Sequence, residues 1–178
     1  FNNDKAGYAN YSINQFYLSG SYIHKLNKDS TLLWSTGANI GFSNVAFNYS
    51  KMTFDNQYDG NSYNASQATG ENFASNATNY ADVNLGTLIK YAFKQRAYIQ
   101  YGLSFSHINS PKITFQNNTS IKIDSKLYNY VSFQYPVAPS LDVMLELLHQ
   151  HQGKFNEYIP SAMLKLRLNE TNQQQVGV

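Results

Sequence analysis

Leu32-Leu33-Trp34-Ser35-Thr36-Gly37-Ala38-Asn39-Ile40-Gly41-Phe42-Ser43 is the stretch that decides the fold. Leu32, Trp34, Thr36, Ala38, Ile40 and Phe42 fall on one side of an extended backbone; Leu33, Ser35, Gly37, Asn39, Gly41 and Ser43 fall on the other. Side chains alternate across a strand but recur every 3.6 residues along a helix, so this period of two is a strand signal. Seven such segments follow one another, separated by gaps that run short, long, short, long. One apolar face, one polar face, tight turns at one end and long loops at the other form the pattern of a transmembrane β-barrel.

The same alternation extends outward from this stretch. Upstream, Gln15 to Leu26 puts Phe16, Leu18, Gly20, Tyr22, His24 and Leu26 on one face, and Asn27-Lys28-Asp29-Ser30 reads as a turn. The quoted strand runs from Thr31 to about Val45, and an Asn-, Ser-, Thr- and Tyr-rich loop follows over about 46–81. A strand over Asp82–Phe93 and another from Ala97 to about Ile108 flank the turn Lys94-Gln95-Arg96. A loop over 109–126, marked by Pro111 and Asn117-Asn118, has room for a short strand around Ile121 and Ile123. The fifth and sixth strands, Leu127–Tyr135 and Leu141–Leu148, flank Pro136-Val137-Ala138-Pro139, read as a third tight turn. A loop over 151–160, a strand over Ser161–Leu168, a turn over Asn169–Gln175 and the start of an eighth strand at Val176-Gly177-Val178 complete the chain. Residues 1–178 are read as a single partial barrel domain, its long loops facing out of the cell. Seven strands and a piece of an eighth cannot close an even-stranded barrel, so the reading is of a fragment of a larger one, mature or truncated at its start.

Composition narrows the alternatives. The chain of 178 residues has length for one domain. Charged residues make up 13%, about half the usual share, so little of the surface is built for bulk water. Mean hydropathy is nevertheless −0.46, because Asn, Gln, Ser and Thr take the place of charges. A net charge of +2 without a basic cluster argues against nucleic acid as a partner. The absence of Cys excludes thiol catalysis, disulfides and Cys-ligated zinc. No apolar run reaches the length of a membrane helix, and barrel strands show none either. A soluble ligand-binding barrel would turn its polar face outward and load it with charge. Here that face is mainly Ser, Gly, Asn, Gln and Tyr, which suits a packed or wet lumen. Trp34, Phe42, Tyr22, Tyr91, Phe93, Phe105 and Tyr135, toward strand ends on the apolar face, fit an interfacial aromatic belt as well as plain β preference.

Chemistry is sparse. His149 and His151 stand two apart and so project to one side, as a metal pair does, but no third ligand has a convincing spacing. His24 and His107 read as interfacial residues at strand ends. Ser106 and His107 are strand neighbours that point to opposite faces, which weakens a nucleophile–base reading. Asp142 and Glu146 share a face; paired carboxylates can do acid–base work, but charges balanced by Lys165 and Arg167 are the simpler account. Asn48-Tyr49-Ser50, Asn64-Ala65-Ser66 and Asn76-Ala77-Thr78 match a glycosylation pattern that this composition produces by chance. The residues point to no catalytic site, cofactor or metal, and partner-binding positions stay unassigned.

Certain segments are similar to a known family: the Phe1-Asn2-Asn3-Asp4-Lys5-Ala6-Gly7 opening, Asp82-Val83-Asn84-Leu85-Gly86, Tyr101-Gly102-Leu103-Ser104-Phe105-Ser106-His107-Ile108-Asn109-Ser110-Pro111, and Tyr158-Ile159-Pro160-Ser161-Ala162-Met163-Leu164-Lys165. Their order resembles the PorP/SprF family of the type IX secretion system in Bacteroidetes. The resemblance implies a non-enzymatic outer-membrane β-barrel of the secretion and gliding machinery. It implies as partners outer-membrane lipid, secreted adhesin-like cargo with a C-terminal sorting domain, and other secretion-system proteins. A diffusion or uptake porin is the first alternative and a soluble ligand-binding barrel the second.

Overall fold

The computed structural model describes residues 1–115, 121–169 and 174–177. Among them lie strands β1 (Asn2–Ala6), β2 (Tyr11–Lys25), β3 (Leu32–Ala46), β4 (Ala77–Lys94), β5 (Ala97–Ser106), β6 (Lys126–Ala138), β7 (Leu141–Gln152), β8 (Phe155–Asn169) and β9 (Gln174–Gly177). Two 3-10 turns, Tyr49–Lys51 and Asp55–Gln57, interrupt the loop between β3 and β4. The sheet runs β1 to β9 in chain order, so each strand lies beside its sequence neighbour. The pairing is antiparallel, as in β5 with β6 from Tyr98 opposite Gln134 to Ser106 opposite Lys126. Such an all-β, up-and-down order puts short turns at one end of the strands and loops at the other. Among the described residues no helix is long and apolar enough to cross a membrane.

The chain groups into two compact units. One holds Phe1–Leu18, Ile40–Asp82 and Ser110–Ile123; the other holds Ser19–Asn39, Val83–Asn109 and Asp124–Val178. In the first, Phe16, Leu18, Ile40 and Phe42 are exposed while Ser43 and Asp82 are buried. In the second, Leu85, Ile89, Ile99, Tyr101, Phe105, Leu145 and Leu147 are exposed while Ser132, Gln134 and Asp142 are buried. Val45 and Ala97 are the buried apolar residues among those described, against six buried polar ones. Water-soluble folds show the reverse. Leu18 at 74% and Ile40 at 63% exposure would be costly in water at about 25 cal/mol per Å² of apolar surface. A hydrocarbon solvent removes that cost, whereas a soluble barrel would have hidden this face inside.

Buried polar groups need partners, since one left unmatched costs about 1–3 kcal/mol. In the first unit Gln15 Nε2 donates to Ser43 Oγ at 3.3 Å and Tyr17 Oη donates to Asp82 at 3.0 Å. The Tyr17 ring lies over Gly41, where a Cβ would overlap it. In the second, Gln134 Nε2 donates to the Arg96 carbonyl at 3.0 Å, and Asn84 Nδ2 donates to Asn39 Oδ1 at 2.5 Å.

Several boundaries differ from the sequence expectation. β1 was unforeseen, because Asn2-Asn3-Asp4-Lys5-Ala6 offers no apolar face to recognise. β4 starts at Ala77 rather than Asp82. Pro136 belongs to β6, not to a turn, and the turn is Pro139-Ser140. The register shifts between Pro136 and Ala138, and such a bulge is where a strand tolerates a residue without an N–H. The expected loop over 151–160 is absent: β7 and β8 meet across Gly153-Lys154, with Gly153 at φ +58°. A glycine in the left-handed region is what a two-residue hairpin turn requires. Around Ile121 and Ile123 there is a bridge, Lys112 opposite Lys122, rather than a strand. Asn117-Asn118 and most of the turn expected over Asn169–Gln175 lie outside the described residues, as does Val178; β9 stands where an eighth strand was expected to begin.

Candidate functional site

The described loop residues of the first unit are folded, not slack. The Phe47 N–H donates to the Asn76 carbonyl at 2.9 Å and closes the base of the β3–β4 loop. Phe73 is its hub, with ring centroids 5.3 Å from Phe47, 5.6 Å from Tyr49 and 6.3 Å from Phe54. The β5–β6 loop joins this hub: Phe115 stands edge-on to Phe47 at 4.6 Å, and its carbonyl accepts the Ala74 and Ser75 N–H groups at 2.9 and 3.2 Å. Aromatic pairs of this kind add about 0.5–1.5 kcal/mol beyond the area they bury. The Ile113 N–H to the Ile121 carbonyl at 3.2 Å and the Ile123 N–H to the Pro111 carbonyl at 2.9 Å hold the second loop as a narrow hairpin base.

The composition that reads as low complexity is used for local turns. Asn48 Oδ1 accepts the Ser50 N–H at 3.1 Å, and Asn64 Oδ1 accepts the Ser66 N–H at 2.9 Å. Asp59 Oδ1 accepts from Ser62 N–H at 2.7 Å and Asn61 N–H at 2.9 Å, just before Gly60 turns at φ +92°. These N–H donors hold the Asp59 carboxyl below its usual 3.8, Ser62 contributing most. Side chains of this type compete for backbone donors and so stabilise turns. Tyr49, Tyr58, Tyr63 and Met52 remain exposed on this folded surface. Tyr and Asn offer adaptable contact area at low conformational cost, as in binding loops.

The polar face carries ionic clusters in the second unit. Asp142 is fully buried and accepts from Arg96, while Arg167 Nε stands 3.5 Å from its other oxygen. Arg96 also donates to the Pro139 carbonyl at 2.6 Å and the Ala138 carbonyl at 3.4 Å, tying the β4–β5 turn to the β6–β7 turn. Glu146 accepts from Tyr130 Oη and from Ser161 Oγ at 3.3 Å. Asp142 and Glu146 therefore have separate partners: cations for Asp142, but the neutral hydroxyls of Tyr130 and Ser161 for Glu146, where the sequence led one to expect a cation. Arg167 does pair with Asp142; Lys165 is its cross-strand neighbour; Arg96, read from sequence as a turn residue, is the closer cation.

The histidines are placed as follows. His149 and His151 do project to one side, and both meet Asn156 of β8. Among the described residues no three His, Cys, Asp or Glu side chains converge as a metal site. His24 stacks on Tyr22 at 6.2 Å. His107 lies just past β5 at φ +55°, its N–H on Asn84 Oδ1 at 2.9 Å, so it shares no strand geometry with Ser106. Of the aromatics expected in a belt, Tyr91, Phe93 and Tyr135 join Phe133, which the sequence reading did not include, in a run of rings with successive centroids 6.1 to 6.2 Å apart. Trp34 Nε1 donates to Thr87 Oγ1 at 2.8 Å, which satisfies its polar end.

Comparison with curated proteins and with solved structures finds no match. The sequence profile described as "Type IX secretion system membrane protein PorP/SprF" matches residues 1–178. A membrane-protein family agrees with a sheet whose apolar face is exposed, and it removes the soluble ligand-binding barrel as an account. The chain belongs to the PorP/SprF family of type IX secretion system membrane proteins.

Proposed function

We propose that this chain forms the wall of an outer-membrane β-barrel in the secretion and gliding machinery, with no catalytic role. Its loops, residues 47–76 and 109–125, dock secreted cargo or another protein of the system. The short turns lie in the periplasm and the loops outside the cell. The observation that carries the docking reading is the joining of the two loops around Phe73 and Phe115, which presents exposed Tyr and Met side chains on an ordered base. Such preorganisation lowers the ordering cost of binding.

Replacing residues 55–70 by a short Gly-Ser linker leaves Phe47, Phe73, Phe115 and the Asn76 closure in place. The expected outcome is loss of adhesin from the cell surface while the barrel still resists heat in detergent gels. Full surface retention of cargo by a folded variant would sink the docking reading.

One observation favours a porin as second reading. The polar face of the second unit holds a groove of about 520 Å³, lined by residues that include Ser21, Gly37, Gly86, Gly102, Ser104 and Tyr130. A diffusion channel predicts steady single-channel conductance in planar bilayers; a docking component with a filled lumen predicts none.

A further inference from the structure

The β7–β8 hairpin holds an arrangement that neither the family nor the docking reading uses. His149 Nε2 and His151 Nδ1 approach a single atom, Asn156 Oδ1, at 3.2 and 3.0 Å. The other nitrogen of His149, Nδ1, faces the Asn129 side-chain amide at 3.1 Å, and Asn129 in turn accepts from Tyr101 Oη at 3.0 Å. Tyr158 stacks on the His149 ring with centroids 4.5 Å apart. Asn129, His149 and Tyr158 are cross-strand partners, as are His151 and Asn156, so the register of β6, β7 and β8 sets the group on one face. Gly153-Lys154 closes this hairpin tightly, which fixes His151 opposite Asn156.

We propose that His149, His151 and Asn156 form a site for a borderline divalent transition metal such as Zn²⁺. The chemistry follows from the donor set. Imidazole nitrogens suit Zn²⁺, Co²⁺ and Ni²⁺, and an amide carbonyl serves as a harder third donor. The spacing follows too. Ligands about 2.1 Å from a metal stand about 3.0 Å apart in octahedral and about 3.4 Å apart in tetrahedral coordination. The two N···O separations, 3.2 and 3.0 Å, lie on that scale, so an ion can replace the two imidazole-to-amide hydrogen bonds once each ring turns its nitrogen lone pair from Asn156 Oδ1 toward the ion. Metal on Nε2 of neutral His149 leaves a proton on Nδ1. Rotation of the Asn129 amide then offers its oxygen to that proton and its NH₂ to Tyr101 Oη. This gives His149 the outer hydrogen bond that metal-bound histidines use to hold their ring. Three protein donors leave open positions for water or a donor from a docked protein. The sequence shows the histidine pair but not the third donor, because Asn156 is brought opposite His151 only by the two-residue turn.

The test is calorimetric titration of ZnCl₂ into the tag-free full chain folded in detergent micelles, with Co²⁺ absorption as a readout of the ligand field. Saturable uptake near one equivalent is expected. His149→Ala and His151→Ala should each weaken it at least about tenfold, and Asn129→Ala, which touches no metal, by about tenfold through lost orientation. Absence of saturable uptake overturns the proposal. So does equal uptake by the His149→Ala/His151→Ala double variant, which would place the ion elsewhere. These side chains are surface ones, and heat resistance in detergent gels verifies that each variant is folded.

Discussion

Arg96 carries more of this structure than its place in a turn suggests. It sits at φ +69°, where a residue with a Cβ is strained by about 1 kcal/mol or more. The strain is offset by what the side chain reaches: two carbonyls of the neighbouring turn and the buried carboxylate of Asp142. Arg96→Ala should lower stability by about 3 kcal/mol, because a buried charge loses its nearest counter-ion and keeps only Arg167. Arg96→Lys should rescue little, since an ammonium cannot hold carbonyls and carboxylate at once as a planar fork does. Urea unfolding in micelles measures both. Asp59 gives a pH dependence of opposite scale, local and small. Its carboxyl titrates lower in the folded loop than at its free value of 3.8. Its support for the turn is therefore complete above that value and lost as pH falls through the lower folded one. The protection factors of the Asn61 and Ser62 amides, their exchange rates taken relative to the intrinsic rate at each pH, should stay level above 3.8 and fall as the pH drops below it.

The strands answer to a different rule, that of the two faces. Leu145 is exposed on the apolar face of β7, and Ser104 lines the groove on the polar face of β5. Leu145→Lys should cost about 2–4 kcal/mol in a bilayer, as cations do on a lipid face near the midplane, while Ser104→Lys should cost much less. Chemical denaturation in lipid vesicles separates the two. This face rule is what made β3 to β6 legible: Trp34, Ile40, Leu85, Ile89, Ile99 and Val131 repeat every second residue and all end up exposed. The loop-side end of β7 and the start of β8 were illegible for the same reason. His149, Gln150, His151, Gln152, Asn156 and Glu157 are polar on both faces, so no period marks them as strand. Long-range pairings were hidden as well. Arg96 and Asp142 are 46 residues apart, and only strand order brings the β4–β5 and β6–β7 turns together. The loop hub was missed because Phe47, Phe73 and Phe115 have no common spacing; the exposed Tyr residues, by contrast, were visible as composition.

At the level of the whole molecule, a sheet with apolar residues outward and charges buried has no stable arrangement in water alone. Unfolded chain diluted from urea into lipid vesicles or micelles should develop a strand-type circular dichroism signal, and dilution into buffer without amphiphile should give aggregate; a dispersed, folded protein in plain buffer would contradict the inverted burial. The buried Asp142 cluster has one more consequence, for the order of assembly. Carried singly into hydrocarbon, the β7 hairpin partner strands would expose Asp142, Glu146, Lys165 and Arg167 before any counter-ion arrived, as well as a row of open peptide groups. The salt link joins the β4–β5 turn, β7 and β8, which favours pairing of those elements before they leave the bilayer surface. A single carboxylate near the turn end of β7 thus favours a barrel wall that enters its membrane already paired over one that enters strand by strand.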